Sequence, residues 1–235
     1  MTKILAAGSA LIITVLLFLG VLPVQNKSKI EELERSPERG TLSWHAQMAK
    51  AKGKQSVNLR ASLVDYAVPR SFDDALANYS LVVAEPIESR SFASTFDIRT
   101  WYKFRLVEVL STPPASCVDC EIPTLSPPQD LLPLGPNEFL SAQAGGDATV
   151  DGIKITSSDP TFPKLKTGKP YLLLVAFDSQ KVIGALRSGP GGAFEISGES
   201  LAPVTTELKY PLRQKFSEQF QNSLSNLRLF LKTRN

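Results

Sequence analysis

Thr100-Trp101-Tyr102-Lys103-Phe104-Arg105-Leu106-Val107-Glu108-Val109-Leu110 is the stretch on which the fold turns. Tyr102, Phe104 and Leu106 alternate with Lys103 and Arg105, so a period of two puts three apolar side chains on one face of a strand. From Val107 the phase shifts by one residue: Val107 and Val109 become the apolar positions and Glu108 the polar one. A one-residue slip exchanges the two faces, and a strand accommodates it with a β-bulge or a sharp bend. The strand predicted over residues 96–110 is therefore long and bent, as strands are where a small sheet curls into a barrel.

The same period recurs on both sides. Leu81-Val82-Val83-Ala84 reads as a buried strand closed by Pro86, and further strands are predicted at 138–143, 149–156, 171–177, 182–186 and 193–196. Gly145-Gly146-Asp147, Thr167-Gly168-Lys169-Pro170, Asp178-Ser179-Gln180 and Gly189-Pro190-Gly191-Gly192 supply the turn chemistry between them. Tyr171 to Phe177 lacks alternation, so both of its faces are expected to be covered. Residues 79–204 thus form a mainly β domain, a small curled sheet or barrel.

Helical signals flank this domain. Ser28 to Glu38 is dense in charge and stops at Pro37 and Gly40, and Thr41 is placed to cap a helix running through Lys52 and ending at Gly53. Ser71 caps a second helix, with Asp73 and Asp74 in its first turn, that ends by Tyr79. Residues 27–78 read as a helical stalk. At the other end, residues 205–235 carry a helix that begins near Pro211, a favoured first helical position. Its stripe of Leu212, Phe216, Phe220, Leu224, Leu227 and Leu231 is amphipathic. The stripe either packs on the sheet or docks a partner or the membrane surface, and Phe216, Phe220 and Leu224 are the candidate docking residues.

Ile4 to Val24 is an apolar run of 21 residues without a charge, flanked by Lys3 and by Gln25-Asn26-Lys27. As a helix it reaches about 31 Å, close to the thickness of a hydrocarbon core. No small-x-small cleavage site follows it, which favours a retained single-span anchor over residues 1–26; a cleaved signal peptide is the alternative. Counting Lys and Arg on the flanks favours a cytoplasmic C-terminal domain, whereas the β-rich remainder reads as exported. The expected arrangement is N-terminus inside and domain outside.

A net charge of +3 is mild, and the basic residues do not form a stripe interleaved with aromatics, so nucleic-acid binding is not expected. Lys50, Lys52, Lys54 and Arg60, and the C-terminal Arg213, Lys215, Arg228, Lys232 and Arg234, read instead as solvated helix surface or weak attraction to anionic headgroups.

Tyr79 to Ala84 followed by Thr100 to Leu110 resembles the opening strand pair of bacterial membrane-anchored or exported β-domain proteins. Phe162-Pro163-Lys164-Leu165-Lys166-Thr167-Gly168-Lys169-Pro170-Tyr171-Leu172-Leu173-Leu174 resembles their G-x-x-Y-L-L strand, and Gly191-Gly192-Ala193-Phe194 the glycine-plus-Phe turn after it. The pattern is also similar to the netrin-like, metalloproteinase-inhibitor-like branch of five-stranded OB barrels. The resemblance covers residues 79–204 and implies an OB-like fold class and a bacterial envelope location. It departs from the netrin-like pattern in having only Cys117 and Cys120, so it carries over no inhibitory residue.

Cys117-Val118-Asp119-Cys120 sits in a loop, residues 112–136, that holds seven prolines. A C-x-x-C pair serves as a loop disulfide, a redox couple, half of a zinc site or a haem attachment. Haem attachment needs a following His and finds Glu121; zinc needs two more ligands, and His45 is the only histidine. Outside the cytoplasm the pair is expected to oxidise, so a small disulfide leads, with inert thiols or a redox or metal role as alternatives. His45 beside Trp44 reads as a packed or exposed helix residue. No G-x-S-x-G elbow accompanies it. Asp147, Asp151 and Asp159 cluster near Gly145-Gly146, a composition that fits both surface turns and carboxylate pairing.

The reading that results is a non-enzymatic binding or interaction module on the outer face of a bacterial inner membrane, with no cofactor and no catalytic residues assigned. Its alternatives are an envelope redox or metal-dependent enzyme using Cys117 and Cys120, and a structural component of an envelope complex.

Overall fold

A computed structural model describes residues 26–61, 68–113 and 126–234, except positions 179, 187, 206, 208 and 209. The apolar run 4–24 and the Cys117/Cys120 pair lie outside these residues, and no helix among the described residues is long and apolar enough to cross a membrane. The chain divides into two units whose limits differ from the expected stalk and β-domain boundaries. The first takes in the described residues up to 59 together with 93–97 and 147–156; the second takes in 60–92, 98–146 and 157 onward. The class is mainly β, with two sheets, neither of them closed.

The first unit contains what reads in sequence as a stalk. Helix α1 covers residues 26–34, and α2 spans Leu42–Ala51. Thr41 caps α2 as expected, its hydroxyl accepting the Trp44 N–H at 3.0 Å. Trp44 Nε1 donates to the Leu33 carbonyl at 2.7 Å, and Leu33, Met48 and Ala51 form a small apolar cluster edged by Ile30 and Trp44. A strand, β1 (Ser56–Arg60), follows α2 in place of further helix. The single strand expected over 149–156 is instead a hairpin of β5 (Gly146–Val150) and β6 (Ile153–Ser158). Asp151 and Gly152 form its turn with φ of 49° and 77°. An Asp-Gly pair suits a two-residue loop that requires positive φ at both positions. The sheet order is β1-β6-β5.

The second unit is built on β2 (Ser80–Ala93), β3 (Ile98–Ser111), β4 (Glu138–Ala144), β7 (Tyr171–Phe177), β8 (Gly184–Ala185), β9 (Ala193–Ser197) and β10 (Ser200–Pro203). Their order is β10-β9-β7-β2-β3-β4, with β8 pairing the end of β7. The pairs β2–β7 (Ser80↔Val175 to Ala84↔Tyr171) and β3–β4 (Arg99↔Ala144 to Arg105↔Glu138) are antiparallel. β2 runs through Pro86 rather than stopping there, and the Pro86 carbonyl accepts from the Gly168 N–H at 2.9 Å. One isolated bridge, Leu140↔Ile183, with the Leu140 N–H donating to the Val182 carbonyl at 2.9 Å, brings β4 next to the segment leading into β8.

Both faces of β7 are covered, as its unbroken apolar run requires. Tyr171, Leu173 and Val175 pack with Val82, Tyr102 and Phe104 on one face; Leu172, Leu174 and Ala176 pack against the helices on the other. The first layer is pinned by a buried polar group. Tyr102 Oη donates to Gln143 Oε1 at 3.1 Å and accepts from the Leu165 N–H at 3.1 Å, while Gln143 Nε2 reaches the carbonyls of Phe162 (2.5 Å) and Pro163 (3.0 Å). This ties the loop after β6 across the sheet, because amide and phenol groups buried here have no other way to satisfy their hydrogen bonds.

Two expectations are corrected in this unit. Val107 and Val109 do not enter a core: they are 58% and 47% exposed. The register with β4 ends at Arg105, and the C-terminal helical segment covers the opposite face, where Leu110 packs and Arg228 grips Glu108 (Nη2 to Oε2 2.6 Å, Nε to Oε1 3.3 Å). The covering helix, rather than strand phase, decides which face is dry. The C-terminal helix is also two helices, α4 (Pro211–Phe220) and α5 (Leu224–Lys232). Gln221 and Asn222 break it with φ of 53° each, and the Ser223 hydroxyl caps α5 by accepting the Asn226 N–H at 3.3 Å. The break lies along β10, with Leu201 N–H to the Asn222 carbonyl at 2.7 Å and Leu224 N–H to the Glu199 carbonyl at 2.8 Å, so that sheet edge is covered.

Candidate functional site

Helix α3 (Phe72–Asn78) starts where Ser71 accepts the Asp74 N–H at 3.1 Å. Its first residue, Phe72, is buried and inserts between α4 and α5. The ring meets Phe216 edge-on at 5.6 Å, Phe220 at 5.2 Å and Phe230 at 6.0 Å. Arrangements of this kind suit the quadrupoles of the rings, whose edges are positive and faces negative. The geometry fixes the start of α3 beside the first turns of α4 and the last turn of α5, and a cleft of about 600 Å³ lies between them.

The cleft has an apolar floor and a charged rim. The half-buried Phe230 ring forms the floor, backed by the buried Phe72 and Leu212; Arg70, Asp73, Lys215, Glu218 and Arg234 stand on the rim. Arg234 is committed to Asp73 through an ion pair and lies over the Phe230 ring, 5.4 Å from its centroid. Glu218 accepts from Gln214 Nε2 at 2.7 Å. Arg70 and Lys215 have no ion-pair partner among the described residues. Pro211 opens α4 at this cleft without a side-chain cap and without an acid in the first turn, so the positive end of the helix is not neutralised by its own residues. Two free cations over an aromatic floor can hold an anionic group that carries an apolar body.

The residues singled out from sequence are distributed differently. Phe216, Phe220 and Leu224 are 0%, 1% and 3% exposed, packed in the layer between the helices and the sheet. They are committed to the core of this unit and present no surface to a partner, because the stripe they belong to is the face that the sheet covers. Of the basic C-terminal residues, Lys215 and Arg234 reach the cleft, while Arg228 is held by Glu108. His45, in the first unit, meets Trp44 edge-on at 4.8 Å, and partial burial pushes its pKa below the ordinary imidazole value. The three acids each accept a hydrogen bond from a different segment rather than facing one another. Asp147 accepts from the Thr156 hydroxyl and Asp151 from the Ser43 hydroxyl, both at 2.7 Å, and Asp159 accepts the Thr161 N–H at 2.8 Å. Among the described residues, no three His, Cys, Asp or Glu side chains are grouped to hold a metal.

Sequence reasoning missed Arg70, Phe72 and Phe230. The available signal was Phe72 following the Ser71 cap: a large apolar residue at the first helical position, beside two acids, has to be covered by something distant in sequence. Comparison with protein-family models and with curated proteins finds no match for this chain.

Proposed function

We propose that this chain is a non-enzymatic binding module, tethered through residues 4–24 at the outer face of a bacterial inner membrane, that receives its ligand in the cleft between α3, α4 and α5. The observation that carries this reading is the pair of cations, Arg70 and Lys215, without an ion-pair partner among the described residues, beside the half-buried Phe230 ring. A volume of about 600 Å³ lies within the range of ligand sites, ~300–1,000 Å³. The Leu140↔Ile183 bridge and the β7–β8 pairing support a barrel-like, OB-related reading of the second unit, in which the cleft is carried on helices packed outside the curl.

A photo-crosslinking residue at Gln219, which lines the cleft, tests the site in intact membranes, with the same residue at exposed Leu229 as the control. The module reading expects a discrete adduct from position 219 and none of the same mass from 229. Identical or absent adducts at both positions refute it. The compartment is tested separately with a membrane-impermeant thiol reagent on Cys117 and Cys120, applied before and after reduction. Labelling that appears only after cell lysis places the β-rich part in the cytoplasm and overturns the outer-face assignment.

A further inference from the structure

Resting on the cleft as the binding site, we infer that its occupant is an acidic peptide segment of a partner protein, one that places a carboxylate between Arg70 and Lys215 and an apolar side chain against the Phe230 ring. Charge points this way. Among the lining residues Asp73 is neutralised by Arg234, which leaves Arg70 and Lys215 against Glu218, a net positive lining reinforced by the uncapped start of α4; Asp74, outside the lining, accepts the Arg70 backbone N–H at 2.8 Å. A guanidinium at Arg70 offers a planar fork that matches a carboxylate, and Lys215 adds a mobile ammonium from the facing helix.

Shape separates a peptide from the other anionic surface available to a membrane-tethered protein, the lipid headgroup layer. The apolar floor that a ligand can touch is the half-buried Phe230 ring beneath the Arg234 guanidinium, with Phe72 and Leu212, 3% and 1% exposed, packed behind it. A side chain projecting from an extended chain reaches such a floor; a planar headgroup layer meets only the rim. The most exposed apolar side chain of α5, Leu229, is not part of the lining, so the cleft is not the rim of an amphipathic surface made to lie on a bilayer. Gln214 and Gln219 line the same cleft and supply amide groups for a peptide backbone, which lipid recognition does not need.

The test uses the full chain reconstituted in phosphatidylcholine nanodiscs and a phage-displayed library of random octapeptides. Selected peptides are expected to be enriched in Asp or Glu beside an aromatic or aliphatic residue. Arg70→Ala/Lys215→Ala is expected to weaken them at least tenfold, and their binding should fall with rising salt. Gln219→Trp, which fills the cleft without touching a charge, is expected to abolish binding. Peptides lost with Q219W but unaffected by the double alanine variant overturn the acidic assignment and leave the module reading standing. Peptides unaffected by either variant overturn both. Absence of an acidic motif, with the cleft engaging phosphatidylglycerol added to the discs in a way that Arg70→Ala/Lys215→Ala removes, overturns the peptide in favour of lipid.

Discussion

Replacing Phe216 by alanine is expected to destabilise the second unit by about 4–5 kcal/mol. The side chain is fully buried, and its ring meets Phe194 at 4.3 Å, Phe220 at 5.3 Å and Phe72 at 5.6 Å. Truncating a buried Phe costs ~3–5 kcal/mol, and three aromatic neighbours, each worth ~0.5–1.5 kcal/mol beyond area, place this site at the upper end. Against a typical total of ~5–15 kcal/mol, that is a large fraction. With a urea slope of ~2 kcal/mol/M, the midpoint should fall by about 2 M. The two tryptophans allow the units to be followed separately: Trp101 is buried in the second unit and Trp44 lies in the first. A Trp44→Phe background therefore reports the second unit alone. Leu229→Ala, at a position 64% exposed, is the control and should change stability by less than ~0.5 kcal/mol. If Phe216→Ala costs under ~1 kcal/mol, the stripe is not the buried face of α4, and a docking role for Phe216, Phe220 and Leu224 returns.

Tyr102→Phe removes a phenol that donates to Gln143 and accepts from the Leu165 N–H, leaving both partners buried, and is expected to cost ~1–3 kcal/mol by denaturant unfolding. Burial holds the Tyr102 phenol well above its ordinary value of 10.0, and the same direction applies to Tyr171. A raised folded-state pKa means that stability is fully present below pH 10 and is lost as pH rises toward the folded value. Stability measured from pH 9 to 11.5 should therefore fall in the native protein and fall less steeply in Tyr102→Phe; equal slopes refute the burial argument. Gly145→Ala is expected to cost more than ~2 kcal/mol, since φ is 95° and a Cβ would stand 2.7 Å from the Ser157 carbonyl oxygen. Gly198→Ala, at φ 60° with open space around it, should cost about 1 kcal/mol, both glycine variants being measured by denaturant unfolding. The Arg228–Glu108 pair, a third or more exposed on both sides, is expected to contribute ~0.5–1 kcal/mol in a double-mutant cycle, and a coupling above ~2 kcal/mol would contradict its surface character.

Local chemistry carried much of the architecture. The caps at Thr41 and Ser71, the buried run Tyr171–Phe177 and the amphipathic stripe from Leu212 to Leu231 were all legible, because each depends on residues within one or two turns or on a simple period. The Asp151-Gly152 turn and the Ser223 cap were also written locally, but longer apolar periodicities on either side masked them. The fate of Val107 and Val109 was not legible at all. Which face of β3 stays dry depends on α5, more than a hundred residues further on, reaching Glu108 with Arg228. The cleft has the same origin: Arg70, Lys215 and Arg234 are ordinary surface cations in sequence, and packing of Phe72 against Phe216, Phe220 and Phe230 brings them to one rim. Period and capping act through neighbours along the chain, so residue order alone specifies them; a shared rim or a covered face is a property of distant segments meeting, and no local pattern encodes it.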